Sequence, residues 1–424
     1  MSSPGCASRR GVRSLMCKVM CNAVLFAVAV IFVSACVSPA SAQSFSTLYS
    51  FAGPDGQSPL GGLVADQDGN YYGTTESGGE FYYGTVFQVS PPTSAEGDWT
   101  ETVICSFAGG LDGSSPAYRL VMDRKGNLYG ETREGGNEGS GTVFILEPPK
   151  TSGANWTKRI IYLPAGAGTV FQGELMIDSS GSLYGTQFSG GNFGVGLAFK
   201  LTPGPGGKFL ATTLYSFGAA PGDAEFPYGP LTMDSAGNLY GVSYSGGTTE
   251  FGTAYKLTPP ASGSGSWTDS VLYSFGEGNQ GCAPEGNVVL TRSGRLYGLT
   301  AGCGASGNGV FFELTPTQEL PWTESVLHAF SSTDGGGSYP TLSLNVEANV
   351  FYGTSYYAGG NGAVFQITPP TGRGGPWTDT VLHTFSGGSD GGNPFGPVTR
   401  DKDGVLYGTG FTLDNPGMVF SIVP

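Results

Sequence analysis

Residues 231–260 read LTMDSAGNLYGVSYSGGTTEFGTAYKLTPP, and this stretch decides the fold. It holds three strand signals in a row: LTMD, then NLYGVSY after a Ser-Ala-Gly turn, then the apolar alternation of GTAYKL after a glycine-rich loop. The pattern occurs seven times. Its plainest marker is a Tyr-Gly pair at Tyr72, Tyr129, Tyr184, Tyr240, Tyr297, Tyr352 and Tyr407, spaced 55 to 57 residues apart. A fixed period built only from strand signals marks a propeller or a solenoid.

Each unit offers four strands. In the first unit they fall at 61–70 (GGLVADQDGN), in the YYGT segment, at 84–89 (GTVFQV) and at 99–107 (WTETVICSF). Four strands in about 55 residues is what one propeller blade needs. A stacked-sheet solenoid is the alternative, although its coils use fewer residues per turn. The ends support closure. The last unit stops at Pro424 without a fourth strand, while residues 45–51 (FSTLYSF) match the fourth strand at 271–275 (VLYSF). The expected fold is all-β: a seven-bladed propeller of four-stranded antiparallel blades over residues 43–424, closed by its N-terminal strand, which leaves no edge unpaired.

Residues 1–42 read as a signal peptide. Arg9, Arg10, Arg13 and Lys18 precede an apolar run at 23–33, and Ala40-Ser41-Ala42 is a small-residue cleavage site. The apolar run is too short to span a bilayer stably. Val33-Ser34-Ala35-Cys36 also resembles a lipoprotein box, so lipidation of Cys36 is the alternative. The expected location is periplasmic or extracellular.

Charged residues make up 12% of the chain, about half the usual ~25%, and 73 of 424 residues are glycine. Polar loops rather than salt bridges keep such a chain soluble. The net charge of −14 argues against nucleic acid or an anionic membrane surface as partner. No transmembrane segment follows the leader, and a monomeric ring is expected.

The third strands repeat an aromatic residue two positions before an aliphatic one, as in Phe87/Val89 and Tyr255/Leu257. Alternation puts each pair on one sheet face. Trp99, Trp156, Trp267, Trp322 and Trp377, with Phe209 in the third unit, begin the fourth strands and are expected to fill the wedge between blades.

Units of the form DxxGNLYGTTxxGG…GTVFxLTPP…WTxxVLYSF resemble the GloVer tandem repeat of exported bacterial proteins, the choice-of-anchor group. The resemblance covers residues 44–424. It implies export and a repeat-built β fold, and it carries no established activity. The chain departs from that pattern in showing no C-terminal anchor after Val423-Pro424, so release, or anchoring through Cys36, is expected.

His328 and His383, the only histidines, occupy the Tyr position of VLYSF and read as packing residues, not metal ligands or catalysts. Asp66-Gln67-Asp68-Gly69-Asn70 and Asp401-Lys402-Asp403-Gly404 resemble the start of a calcium loop but lack its distant Glu; a tight hairpin turn is the favoured reading. Calcium is thus an optional cofactor at most. Cys105 is expected to be a buried thiol. Cys282 and Cys303 fall in two loops of the fifth unit and read as a disulfide.

The lead-in loops carry Asp55, Asp112, Asp223, Asp334 and Asp390. The loops between second and third strands lie on the same face and carry Phe81, Tyr82, Tyr83, Tyr356 and Tyr357. Acids beside flat rings suit a sugar or a cation near the central opening, against the plainer reading that Asp-Gly makes the turn. The leading functional expectation is a surface binding or scaffolding module with a glycan, or a surface protein, as partner. The rivals are a carboxylate- or calcium-dependent enzyme of lactonase or glycan-cleaving type, and a purely structural protein. No catalytic residue is assigned, because no acid or Asn is read as breaking the repeat.

Overall fold

The Tyr-Gly pair has a steric origin. In the computed structural model, the aromatic ring of each third strand lies against the glycine of its own blade's second strand. A Cβ at Gly73 would stand 2.5 Å from Phe87 Cζ, and one at Gly353 2.2 Å from Phe365 Cζ. No side chain fits there, so the glycine recurs in every unit.

The structure describes residue 1 and residues 43–424, except positions 95, 152, 165, 167, 262–264, 337–340, 346–349, 373, 374 and 413. The expected signal peptide, its cleavage site and Cys36 therefore lie outside the described residues. Residues 43–424 form seven antiparallel sheets arranged as a seven-bladed propeller, with no α-helix among the described residues. In blade one the strands are Val64–Ala65, Tyr71–Thr75, Thr85–Ser90 and Thr100–Ser106, hydrogen-bonded in that order. Blade seven takes its fourth strand from the N-terminus. Ser44–Ser50 pairs antiparallel with Asn415–Val423, from Ser44 opposite Val423 to Ser50 opposite Met418.

Most first strands are shorter than expected, although Ala224–Met233 of blade four runs for ten residues. The sequence suggested 61–70 in blade one, yet only Val64–Ala65 forms a ladder. Neighbouring blades converge toward the axis, and there the backbones touch: a Cβ at Gly61 would lie 2.7 Å from the Tyr118 carbonyl, and one at Gly396 2.1 Å from Gly62 N. Residues 61–63 pack against the adjacent blade instead of pairing.

Between blades, the seams are aromatic. The Phe that ends one fourth strand meets the third-strand ring of the next blade: Phe51 on Phe87 at 5.0 Å, Phe107 on Phe144 at 5.1 Å, Phe275 on Phe312 at 4.9 Å. Blade two lacks this Phe, and Phe171 from the following loop fills the space, 5.9 Å from Phe199. Such pairs add about 0.5–1.5 kcal/mol each beyond their burial. Farther along each seam, the fourth-strand Trp packs on the Tyr of the preceding blade's Tyr-Gly pair, as in Trp156 on Tyr72 and Trp322 on Tyr240. Phe209 does the same for Tyr129.

The hairpin aspartates hold that Tyr. Asp66 Oδ1 accepts from the Asp68 and Asn70 amides, and Oδ2 accepts from Asn70 Nδ2 and Tyr72 OH. Asp123, Asp178, Asp234 and Asp401 accept from Tyr129, Tyr184, Tyr240 and Tyr407 in the same way, at 3.1–3.2 Å. The DxDG segments are hairpin caps.

Candidate functional site

The two loop sets named from the sequence do share a face. Gln57 and Ser77 exchange backbone hydrogen bonds of 2.8 and 3.0 Å, tying the loop that leads into blade one to the loop after its second strand. On that face, however, the five aspartates do not ring the central opening. Each turns into a seam at the outer strands. Asp55 accepts from the Ala52 amide at 2.8 Å and from Tyr49 OH at 2.5 Å. Asp223 accepts from the Ala219 amide and from Tyr215 OH. Asp112 accepts from the Ala108 amide and from Lys158 Nζ at 2.6 Å. Asp334 and Asp390 cap Ser331 and Ser386 and face His328 and His383.

At Asp55, Asp223 and Asp334 a second acid comes from the next blade's fourth strand. Burial, with Asp55 adding repulsion, pushes Glu101 up to about 7. Burial and the neighbouring Asp223 push Asp269 up to about 8. Glu324, which accepts from Tyr273 OH at 2.8 Å, is also raised to about 7 by burial. The seams are therefore closed by acids of raised pKa, hydroxyls, imidazoles and, at Asp112, an ammonium.

The aromatic half of the expected site stands differently. Tyr82 is 77% exposed, Tyr357 54% and Tyr83 49%, with Phe81 beside them. Tyr356 packs edge-on to Tyr357 at 4.5 Å. Phe193 in the corresponding loop of blade three and Tyr244 near the end of blade four's second strand, which the sequence reading did not single out, are exposed too. Among the described residues, every exposed large aromatic side chain sits near the end of a second strand or in the loop that follows it.

The sequence reading also missed a buried carboxyl behind the channel. It found no acid that departs from the repeat, yet Glu131 does so. Its position carries Thr74, Thr186, Thr354 and Thr409 in other blades, whose hydroxyls donate to carbonyls of the next blade (Tyr118, Gly229, Gly396 and Gly61). Glu131 is 3% exposed, and neither carboxyl oxygen has a hydrogen-bond partner. Burial, then the charge of Glu174 in the next blade, pushes its carboxyl well above the usual carboxylate range. Glu174 is raised by burial and partly restrained by Arg119, whose Nε donates to Leu63 O at 3.0 Å. Aligning the seven units shows the departure. It escaped notice because a glutamate in a strand reads as a solvent-facing residue.

Glu174 sits where the central channel narrows. On the loop side lies a cavity of about 40 Å³ lined by Leu60, Gln172, Glu174, Tyr228, Asn287 and Phe395. On the hairpin side the channel widens to about 580 Å³. The residue three positions before each buried first-strand leucine or valine differs from blade to blade: Leu60, Ala117, Gln172, Tyr228, Glu285, Phe395.

Two further features complete the description. Cys282 and Cys303 form a disulfide with a Cα–Cα distance of 5.3 Å. Cys105 is a free thiol but partly exposed, contrary to the expectation of burial, because it stands on an outer strand beside Lys158. No helix among the described residues is long and apolar enough to cross a membrane.

The chain belongs to the Gloeobacter/Verrucomicrobia repeat family, whose model matches residues 35–162, 157–361 and 264–424. No curated protein matches the sequence. Among solved structures, an extracellular domain assigned to a hybrid two-component system of B. thetaiotaomicron is similar, at a TM-score of 0.53 and 12% identity over 90% of this chain. This chain spans 39% of that protein's length. An ulvan lyase of a new polysaccharide lyase family, bound to a glucuronate–sulfated rhamnose unit, is similar at a TM-score of 0.52 and 10% identity. That match covers 87% of this chain and 94% of the lyase. At these identities the likeness concerns the fold.

Proposed function

We propose that this member of the Gloeobacter/Verrucomicrobia repeat family is an exported binding module that takes a carbohydrate on its loop face. The observation that carries the reading is the confinement of exposed aromatic rings to that face. Solvent-facing rings such as Tyr82 and Tyr357 give up little hydrogen bonding when an apolar sugar face covers them, and their hydroxyls stay available at the edge. Exposed apolar surface gathered in one region marks an interaction site. The blade-to-blade differences at Leu60, Tyr228 and Phe395 give the otherwise repetitive ring a single orientation for a ligand. The lead-in aspartates act behind this surface, holding the loops that present it.

The test is a glycan array followed by titration of the best hit. Tyr82→Ala with Tyr357→Ala is expected to weaken binding at least tenfold without turnover of the glycan. Retained affinity in the double variant, or an array without hits, contradicts the reading.

A second reading is favoured by Glu131 and Glu174. Glu174 lines the channel with its carboxyl tempered by Arg119, and the buried Glu131 behind it is raised by burial and by Glu174; two interacting carboxyls of unequal environment are the equipment of glycan-cleaving acid–base chemistry. Turnover of the array hit that disappears in Glu174→Gln would establish the enzyme instead.

A further inference from the structure

We propose that the seam between blades five and six is a metal site of zinc or manganese type, held by His328, Asp334 and Asp379. His328 ends blade five, Asp334 lies in the loop that follows, and Asp379 stands on the fourth strand of blade six. One donor atom from each lies within 4.8 Å of the other two. Donors bound about 2.1 Å from one ion lie roughly 3–4 Å apart, so small rotamer changes close the cluster.

The local geometry leaves these donors unused. His328 Nε2 is 3.5 Å from Asp334 Oδ2, too long for a hydrogen bond. His328 Nε2 and Asp379 Oδ1 are both shielded from solvent and have no hydrogen-bond partner. Such atoms ordinarily find one. The His328 and Asp334 side chains keep 21% and 27% of their surface exposed, so an ion has a way in. An imidazole with two carboxylates selects a borderline cation over calcium, which prefers oxygen ligands alone.

The other seams show what this position accepts. Between blades one and two the place of Asp379 is taken by Lys158, whose ammonium binds Asp112 at 2.6 Å. That seam carries its own cation. Between blades six and seven, His383 and Asp390 repeat the His–Asp pair, but Phe45 replaces the third ligand and stacks on His383 at 4.0 Å. Among the described residues, only the seam between blades five and six joins an imidazole to two carboxylates.

The experiment uses the tag-free exported chain, stripped with EDTA and titrated with zinc chloride, with manganese and calcium chlorides in parallel. Calorimetry should show one zinc equivalent and a raised Tm, with calcium at least tenfold weaker. His328→Tyr restores the residue that Tyr49, Tyr215 and Tyr273 supply elsewhere, and Asp379→Asn keeps the shape. Each should lower zinc affinity at least tenfold, while His383→Tyr leaves it unchanged. If wild type takes up no zinc, the proposal fails. It fails equally if zinc binds His328→Tyr undiminished, or is lost only in His383→Tyr.

Discussion

At the residue scale, each lead-in aspartate serves its seam, and the seam acids carry a pH signature. Asp269 has an unfolded value near 3.8 and a folded one of about 8, raised by burial and by Asp223. A carboxyl whose folded value is raised stabilises fully below its unfolded value, and that contribution is lost as pH rises through the folded one. Between pH 4 and 8 the unfolded chain gives up this proton while the native seam retains it, so stability should fall with rising pH. Glu101 and Glu324 act with the same sign. Asp269→Asn, which mimics the protonated acid, should flatten the profile by about 1–3 kcal/mol across that window. Urea denaturation at several pH values reads this directly, and an unchanged slope would mean that Asp269 is ionised in the native seam. Little of this was legible beforehand. A sequence shows Asp55 before a Gly but not which way its carboxylate turns. Tyr49, six residues away, proves to be the group it serves.

At the scale of the element, the strands were legible because steric demands repeat with them. Gly73 must face Phe87, and Trp156 must cover Tyr72, so the same letters return every 55 to 57 residues. The displaced N-terminal strand was legible for the same reason, since FSTLYSF carries the letters that blade seven lacks. What alternation could not show was the brevity of most first strands, because close backbone approach at Gly61 and Gly396 leaves no side-chain pattern to read. Removing residues 44–50 strips blade seven of its outer strand and exposes the Asn415–Val423 edge. It also deletes Phe45, which packs on Phe385 and Phe420. The truncated chain is expected to lose several kcal/mol and to aggregate through that open edge. Size-exclusion chromatography and thermal denaturation check this, and a monomeric truncation of equal Tm would refute the closure.

At the scale of the whole molecule, seven nearly equivalent blades make a rigid frame, and function has to reside where equivalence breaks. It breaks in three places: the exposed rings of the loop face, the buried Glu131 with Glu174 at the channel, and the seam at His328. The first was visible in the sequence as Tyr82, Tyr83 and Tyr357. The second was present as a departure from a threonine column, and the third depended on side chains from two blades meeting. The account's central claim is that a ligand is received on the loop face. Hydrogen exchange of the protein, with and without the best-binding glycan, tests it most directly. Protection is predicted in residues 76–84, 188–196, 244–252 and 356–362, with the hairpin turns at 66–70, 123–127 and 234–238 unchanged. Protection confined to those turns, or to the outer fourth strands, would contradict it.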